Sequence, residues 1–266
     1  MRLSKSQNWA AVIRPVRGDR EASSGGVTVR LDDPDGCPHY MGVVIRGVTV
    51  DPSPDWLVRR LASIGLRPIS NVVDATNYFL HGYGQPMHAF DLARLAQSTV
   101  VIRRARAGEA LVTLDGVDRV LTDRMTVIAD GERAVAVAGV MGGGNSEVSG
   151  ATTDLFLEVA FFDPRRVRTT RRALGLSTDA SYRFERGIDP AGTSQALALA
   201  AGLIAKITGG RVDEAPVFVG LESPVPRDVV LRPPRAERLL GEGGPAAEMS
   251  RLLRGGGFQV TPTADG

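Results

Sequence analysis

The chain has 266 residues, 43% of them hydrophobic, with a formal net charge of +2. That size allows one large domain or two smaller ones, and the composition is far from that of a disordered chain. No run of about 18 apolar residues offers a membrane span, the N-terminus lacks the apolar segment of a secretory signal, and Cys37, the single cysteine, excludes an internal disulfide and a multi-cysteine metal site.

A cytoplasmic location is therefore the expectation. Lysine occurs only at Lys5 and Lys206, so the positive charge is almost all arginine. Arginine is the better bidentate phosphate ligand, but a codon bias produces the same pattern.

In chain order, residues 1–26 end in Glu21-Ala22-Ser23-Ser24-Gly25-Gly26 and read as a flexible lead-in. Val27–Leu31 alternates as a strand does, and Tyr40–Val50 is rich in β-branched residues and reads as a second. Ser53-Pro54-Asp55 predicts a helix start with Ser53 as its cap, and Trp56, Leu57, Arg60, Leu61 and Ile64 follow at helical spacing. Ser70 caps a second predicted helix through Val72, Val73, Thr76, Asn77 and Phe79. The loop 84–91 after it carries His88.

The middle is β-rich. A strand is expected at Val100–Arg103. Hairpins are expected around Asp115-Gly116 and Asp130-Gly131, and a buried strand at Leu155–Phe162. Asp163-Pro164 starts a helix, a short helix follows Thr178-Asp179, and Asp189-Pro190 opens a long apolar helix over Ala196–Ile207. A last strand spans Arg211–Val219. Residues 221–228 are Pro-rich and read as a linker. Beyond it, a strand at Val229–Pro233, helices at Arg235–Leu240 and Ala246–Arg254, and a strand at Phe258–Val260 look like the first half of a second small domain, too little to fold well alone. A truncated chain is the expectation.

Two stretches carry an unusual density of polar groups among apolar ones. The stretches 67–78 and 84–91 together hold an Arg, a Thr, two Asn and a His beside Val72, Val73, Tyr78 and Phe79, and read as a pocket wall. Leu157–Ser181 reads as its partner across the pocket. His88 has no second His or Cys at ligand spacing, so zinc is not indicated. It is either a functional imidazole or one bonding a backbone carbonyl.

Glu158 shares a strand face with Phe156 and Ala160, where a carboxylate is costly to bury unless paired. A pocket acid and a salt bridge to an arginine are both open. Met141–Gly144 lacks the Lys-Ser/Thr of a phosphate loop, so its glycines permit close approach or a plain turn. The Arg165–Arg172 run, with Arg183 and Arg186, is a phosphate-binding surface or a solvated helix face.

The blocks RPISNVVDATNY (67–78), GQPMHAFD (84–91), VAGVMGG (137–143), LEVAFFDP (157–164) and LGLSTDASYRFERGIDP (174–190) closely resemble the editing domain of the bacterial phenylalanyl-tRNA synthetase β subunit, over roughly Val27 to Val219. The resemblance implies a mixed α/β fold: a flexible lead-in over 1–26, a large β-rich editing domain with packed helices over 27–220, a linker over 221–228, and over 229–266 the truncated start of a small α+β winged-helix-like module.

The implied activity is hydrolysis of the ester in mischarged Tyr-tRNA(Phe) by a positioned water, with no side-chain nucleophile and with help from the terminal ribose hydroxyl. The alternative is a non-catalytic tRNA-binding and interface module. By the family pattern, Glu158 recognises the tyrosine hydroxyl. His88, Arg67 and Thr76 lie near the ester and the tRNA 3′ end, Thr178 and Ala180 line the amino-acid pocket, and Gly142 is a point of close backbone approach. Arg165, Arg168 and Arg172 are candidate RNA contacts.

No cofactor is expected in this chain. ATP and magnesium serve the full synthetase, whose ATP and phenylalanine sites belong to the α subunit, and the family's magnesium ligands lie beyond Gly266. The implied partners are tRNA(Phe) and the α subunit in an α2β2 assembly, without a membrane. Aminoacylation is not expected from this chain alone.

Overall fold

A computed structural model describes residues 15–213, 215–221 and 228–262. The chain divides into two units, Met1–Pro224 and Val225–Gly266. The first is a mixed α/β layering of two sheets and a helical layer. Its elements in order are β1 (Val16–Gly18), β2 (Glu21–Ser24), β3 (Val27–Leu31), β4 (His39–Arg46), α1 (Asp55–Ala62), α2 (Asn71–Tyr83), β5 (Met87–Asp91) and β6 (Thr99–Arg104). Next come β7 (Ala110–Val112), β8 (Asp118–Val120), β9 (Thr126–Ala129), β10 (Ala134–Val137), β11 (Met141–Gly142) and β12 (Asp154–Phe161). The unit closes with α3 (Pro164–Ala173), α4 (Asp179–Phe184), α5 (Thr193–Thr208), β13 (Arg211–Val212) and β14 (Val217–Gly220).

One sheet runs β1-β14-β4-β12-β5, with β13 added to β4; the other runs β11-β10-β9-β6-β3-β2. The alternation of side chains along β4 and β12 explains why the first sheet is apolar on both faces. Tyr40, Val44, Phe156 and Ala160 join a core shared with Val27, Val29, Leu31, Ile102 and Val127 of the other sheet. Met41, Val43, Leu155, Leu157 and Val159 pack instead with Val72, Ala75 and Phe79 of α2 and Leu197, Ala200 and Ile204 of α5. The first sheet is therefore the middle layer, between the second sheet and the helices.

Several expectations need correction. The lead-in is ordered where it is described: β2 pairs with β3, Ser24 opposite Val27, in a hairpin that turns at Gly25 and Gly26, and β1 runs parallel to β14. Residues 1–14 lie outside the described part. Residues 87–91 form a strand rather than a loop, because β12 supplies a ladder partner for Met87 to Asp91. The predicted strand 211–219 is two short strands, β13 and β14, both on β4.

Ser53 does not cap α1, whose N-cap is Pro54 without a side-chain bond; its hydroxyl donates to Asp74 Oδ2 at 2.6 Å. Ser70, Asp163 and Thr178 do cap α2, α3 and α4.

The second unit holds α6 (Pro233–Leu240) and α7 (Ala246–Gly255), neither of which buries a residue. The expected strands at Val229–Pro233 and Phe258–Val260 are absent among the described residues, since an extended segment needs a neighbour to complete its hydrogen bonds. The linker expected over 221–228 falls mostly outside the described part. No helix among the described residues is long and apolar enough to cross a membrane.

Candidate functional site

The site is built on the face of the middle sheet that looks toward the second sheet. β12 is flanked by β4 and β5, and the register sets Glu158 between Gly42 on one side and His88 on the other. The neighbours along that face are Phe156 and Ala160 on β12, Tyr40 on β4 and Phe90 on β5, all in the inter-sheet core. Two glycines make the room. A Cβ on Gly42 would overlap the Phe156 ring, and one on Gly142 would overlap the His88 ring.

Glu158 is 5% exposed. The sequence left open a salt bridge to an arginine; instead, the buried Tyr40 hydroxyl donates to Glu158 Oε2 at 2.9 Å, and Oε1 takes no hydrogen bond from the described residues. Burial pushes the Glu158 carboxyl up to about 8, and the Tyr40 hydrogen bond only partly offsets it. Near pH 7 the group is mostly a neutral acid, able both to donate and to accept.

Burial lowers the His88 imidazole to about 4, so it too is neutral. Its ring meets Phe90 edge-on at 4.5 Å between centroids, and its Nε2 is sealed from solvent without a hydrogen-bond partner. It does not bond a backbone carbonyl through that nitrogen, and an orphaned buried nitrogen costs free energy unless something supplies a partner. Cys37 is also buried, its thiol raised well above the usual range by burial and then by the Glu158 charge, which leaves it protonated and a poor nucleophile.

α4 closes one side. The Thr178 hydroxyl donates to the Val140 carbonyl at 2.8 Å, beside β11 and Gly142, and accepts from Ser181 N in a capping box. Ala180 is half-buried against the inter-sheet core. The structure therefore gathers Glu158, His88, Gly142, Thr178 and Ala180 around one region, and adds Tyr40. Tyr40 gave no sequence signal beyond its place in a β-rich run, because its partner lies 118 residues away.

Arg67 and Thr76 do not join this group. Arg67 is exposed on the loop before α2 and makes no hydrogen bond or ion pair among the described residues. Thr76 sits on α2, whose apolar side packs on the opposite face of the sheet, and its hydroxyl donates to Val73 O at 2.7 Å. The polar density of that stretch has another cause. Asn71 donates to Thr49 O at 2.9 Å and its side-chain oxygen accepts from Asp51 N and Val72 N. Asp74 accepts from Ile69 N and Ser53 Oγ. These buried groups fasten the loops on either side of α1, so the stretch before His88 is a set of loop anchors rather than a pocket wall.

The arginine run on α3 splits by helical phase. Arg166 turns inward to Asp33 at 2.8 Å and Arg171 to Glu185 at 2.6 Å. Arg165, Arg168 and Arg172 face solvent; Arg168 lies 3.9 Å from Glu185, while the other two side chains make no hydrogen bond or ion pair among the described residues. Arg183 pairs with Asp179, and Arg186 with Glu185. A cavity of about 230 Å³ lies elsewhere, lined by Arg17, His39, Thr193, Ser194 and Phe218 among others. Among the described residues, no three His, Cys, Asp or Glu side chains gather as a metal-ligand set.

The sequence model of the B3/4 domain matches residues 36–209, the span that contains every member of the gathered group. The chain belongs to the B3/4 domain family. Over most of its length, this B3/4 chain is similar to curated proteins named phenylalanine–tRNA ligase β subunit. The one from Salinibacter ruber is 49% identical over 239 residues, covering 90% of this chain and 29% of the relative. The one from Carboxydothermus hydrogenoformans is 47% identical over 235 residues, 88% of this chain and 29% of the relative. The B3/4 chain thus spans under a third of the length of these relatives. A crystal structure of an N-terminal fragment of the phenylalanyl-tRNA synthetase β subunit from Pyrococcus horikoshii aligns with 97% of this chain and 72% of its own, at 14% identity and a TM-score of 0.46.

Proposed function

We propose that this B3/4 domain acts within a phenylalanine–tRNA ligase β subunit, in the cytoplasm and beside the α subunit, and that it hydrolyses tyrosine wrongly esterified to tRNA(Phe). The observation that carries the reading is the buried, neutral Glu158 with one oxygen committed to Tyr40 and the other uncommitted. A synthetic pocket shaped for phenylalanine rejects an added hydroxyl only about a hundredfold. A second pocket with a buried polar group does the reverse, because phenylalanine would leave that group unpaired.

In this reading the tyrosine phenol bonds Glu158 Oε1, and Gly142 lets the substrate backbone approach the His88 ring. The neutral His88 imidazole borders the ester, the attacking water and the terminal ribose hydroxyl. No nucleophile is needed: the Thr178 hydroxyl is engaged and the Cys37 thiol is buried. In the same reading Arg67, exposed on the loop before α2 and apart from this group, pairs with phosphates of the bound tRNA. Thr178 and Ala180 border the amino-acid side.

The test is release of tyrosine from preloaded Tyr-tRNA(Phe), with Phe-tRNA(Phe) as control. Selective tyrosine release is expected, and Glu158→Ala should lower the tyrosine-over-phenylalanine ratio about tenfold or more, the cost of losing one or two hydrogen bonds. A Glu158→Ala protein with undiminished selectivity would overturn the role given to that acid.

A second reading, a tRNA-binding and interface module without hydrolysis, draws on the solvent-facing Arg165, Arg168 and Arg172. It would be favoured by salt-sensitive tRNA binding from well-folded protein that releases no tyrosine.

A further inference from the structure

A carboxyl group that discriminates must be held still. The terminal torsion of a glutamate is soft and roughly two-fold, so an unrestrained Glu158 would present either oxygen at many angles. Its strand neighbours give it no hydrogen bond among the described residues: Gly42 has no side chain, Ala160 carries a methyl, Phe156 is apolar, and the His88 ring opposite on β5 makes no bond to it. The group that does restrain it is Tyr40. Tyr40 stands opposite Ala160 in the ladder, diagonal to Glu158, within the reach of an aromatic side chain. It is 0% exposed, and its ring is locked in the inter-sheet core. Its hydroxyl makes the one hydrogen bond that Glu158's side chain receives among the described residues.

We propose that Tyr40 is a positioning residue: its buried phenol holds Oε2 of Glu158 so that Oε1 faces the phenol of a tyrosyl ester. This rests on the hydrolytic reading above. The ligand class it implies is a para-hydroxyphenyl side chain, bound by an acid that one phenol already orients.

The experiment compares wild type, Tyr40→Phe, Glu158→Ala and the double variant on preloaded Tyr-tRNA(Phe) and Phe-tRNA(Phe), with kcat and KM separated. Tyr40→Phe keeps the ring and removes one hydroxyl. It should raise KM for the tyrosyl ester and lower the tyrosine-over-phenylalanine ratio of kcat/KM about fivefold to tenfold, the worth of a lost orienting hydrogen bond, with the phenylalanyl ester unaffected. Because Tyr40 acts through Glu158, the double variant should match Glu158→Ala rather than add to it.

An unchanged ratio in Tyr40→Phe overturns the proposal. So does an equal loss on both esters, which marks a purely structural role, or an additive loss in the double variant. If Tyr40→Phe does not fold, the double variant against Glu158→Ala decides: any further loss of selectivity overturns it. A wild type without selective release sinks the hydrolytic reading and this proposal together. A response to Glu158→Ala but not to Tyr40→Phe sinks this proposal alone.

Discussion

Glu158 and His88 face each other across two strands, and both are neutral near pH 7 for the same reason. Burial disfavours charge, which moves an acid up and a base down. Their effects on stability have opposite signs. The Glu158 value is raised, so folding is unpenalised below about pH 4.5 and loses stability as pH rises toward about 8. The His88 value is lowered, so its contribution is present above about pH 6.5 and lost as pH falls toward about 4.

Glu158→Gln removes the first titration and keeps an acceptor for the Tyr40 hydroxyl. It should leave stability near pH 4 almost unchanged and stabilise the protein by about 2–4 kcal/mol at pH 9, given ~1.4 kcal/mol for each pH unit that separates the carboxyl's titration in the folded and unfolded chains, with an allowance for local relaxation. Urea unfolding at both values checks this, and a difference that does not grow with pH contradicts it. Glu158 was visible in the sequence because a single acid in an apolar strand is conspicuous. What held it was not, because an arginine partner and a tyrosine partner leave the same local pattern.

At the scale of elements, capping chemistry was the most legible feature and side-chain-to-loop bonding the least. Ser70, Asp163 and Thr178 each stand at the start of a helical pattern and do cap it. Ser53 stands in the same kind of place, yet its hydroxyl is claimed by Asp74 of another helix. Asn71 drew attention for a different reason, the density of polar groups near His88, and Asp74 beside it drew none, yet both anchor loops. Local sequence does not distinguish a polar group that anchors a loop from one that lines a site.

Thr178 shows the converse, a residue expected at the site that is also a structural joint. Its hydroxyl ties α4 to Val140, next to Gly142. Thr178→Ala should cost about 1–2 kcal/mol through loss of the cap. Amide exchange should quicken at Ser181 and along α4 more than in β12. Uniform exchange changes would show that α4 is not held at that point.

At the scale of the whole molecule, α3 is fastened beside the second sheet by ion pairs as well as by apolar packing. Asp33, 5% exposed, follows β3 and collects Arg166 of α3 at 2.8 Å, Arg104 of β6 at 3.2 Å and the Thr126 hydroxyl of β9 at 2.8 Å. Removing one member leaves the inner arginine buried without its carboxylate. Asp33→Ala should therefore destabilise by about 2–4 kcal/mol, discounted for the partial exposure of Arg104. Chemical denaturation with a cost under ~1 kcal/mol would show that the arginines find water instead. The layering itself was only partly readable. Strand positions followed from periodicity, but which strands neighbour each other did not, since β4, β12 and β5 come together from distant parts of the chain.

That long separation has a consequence for how the protein is made. Tyr40 and Glu158 are 118 residues apart, and a ribosome adding roughly 5–20 residues per second takes roughly 6–24 s to deliver the second after the first. For that interval β4 has emerged without β12, the strand that fills the place between it and β5. Until β12 arrives, the edge of β4 that it covers stays open and the Tyr40 hydroxyl lacks its carboxyl partner, and the other edge of β4 waits longer still, for β13 and β14.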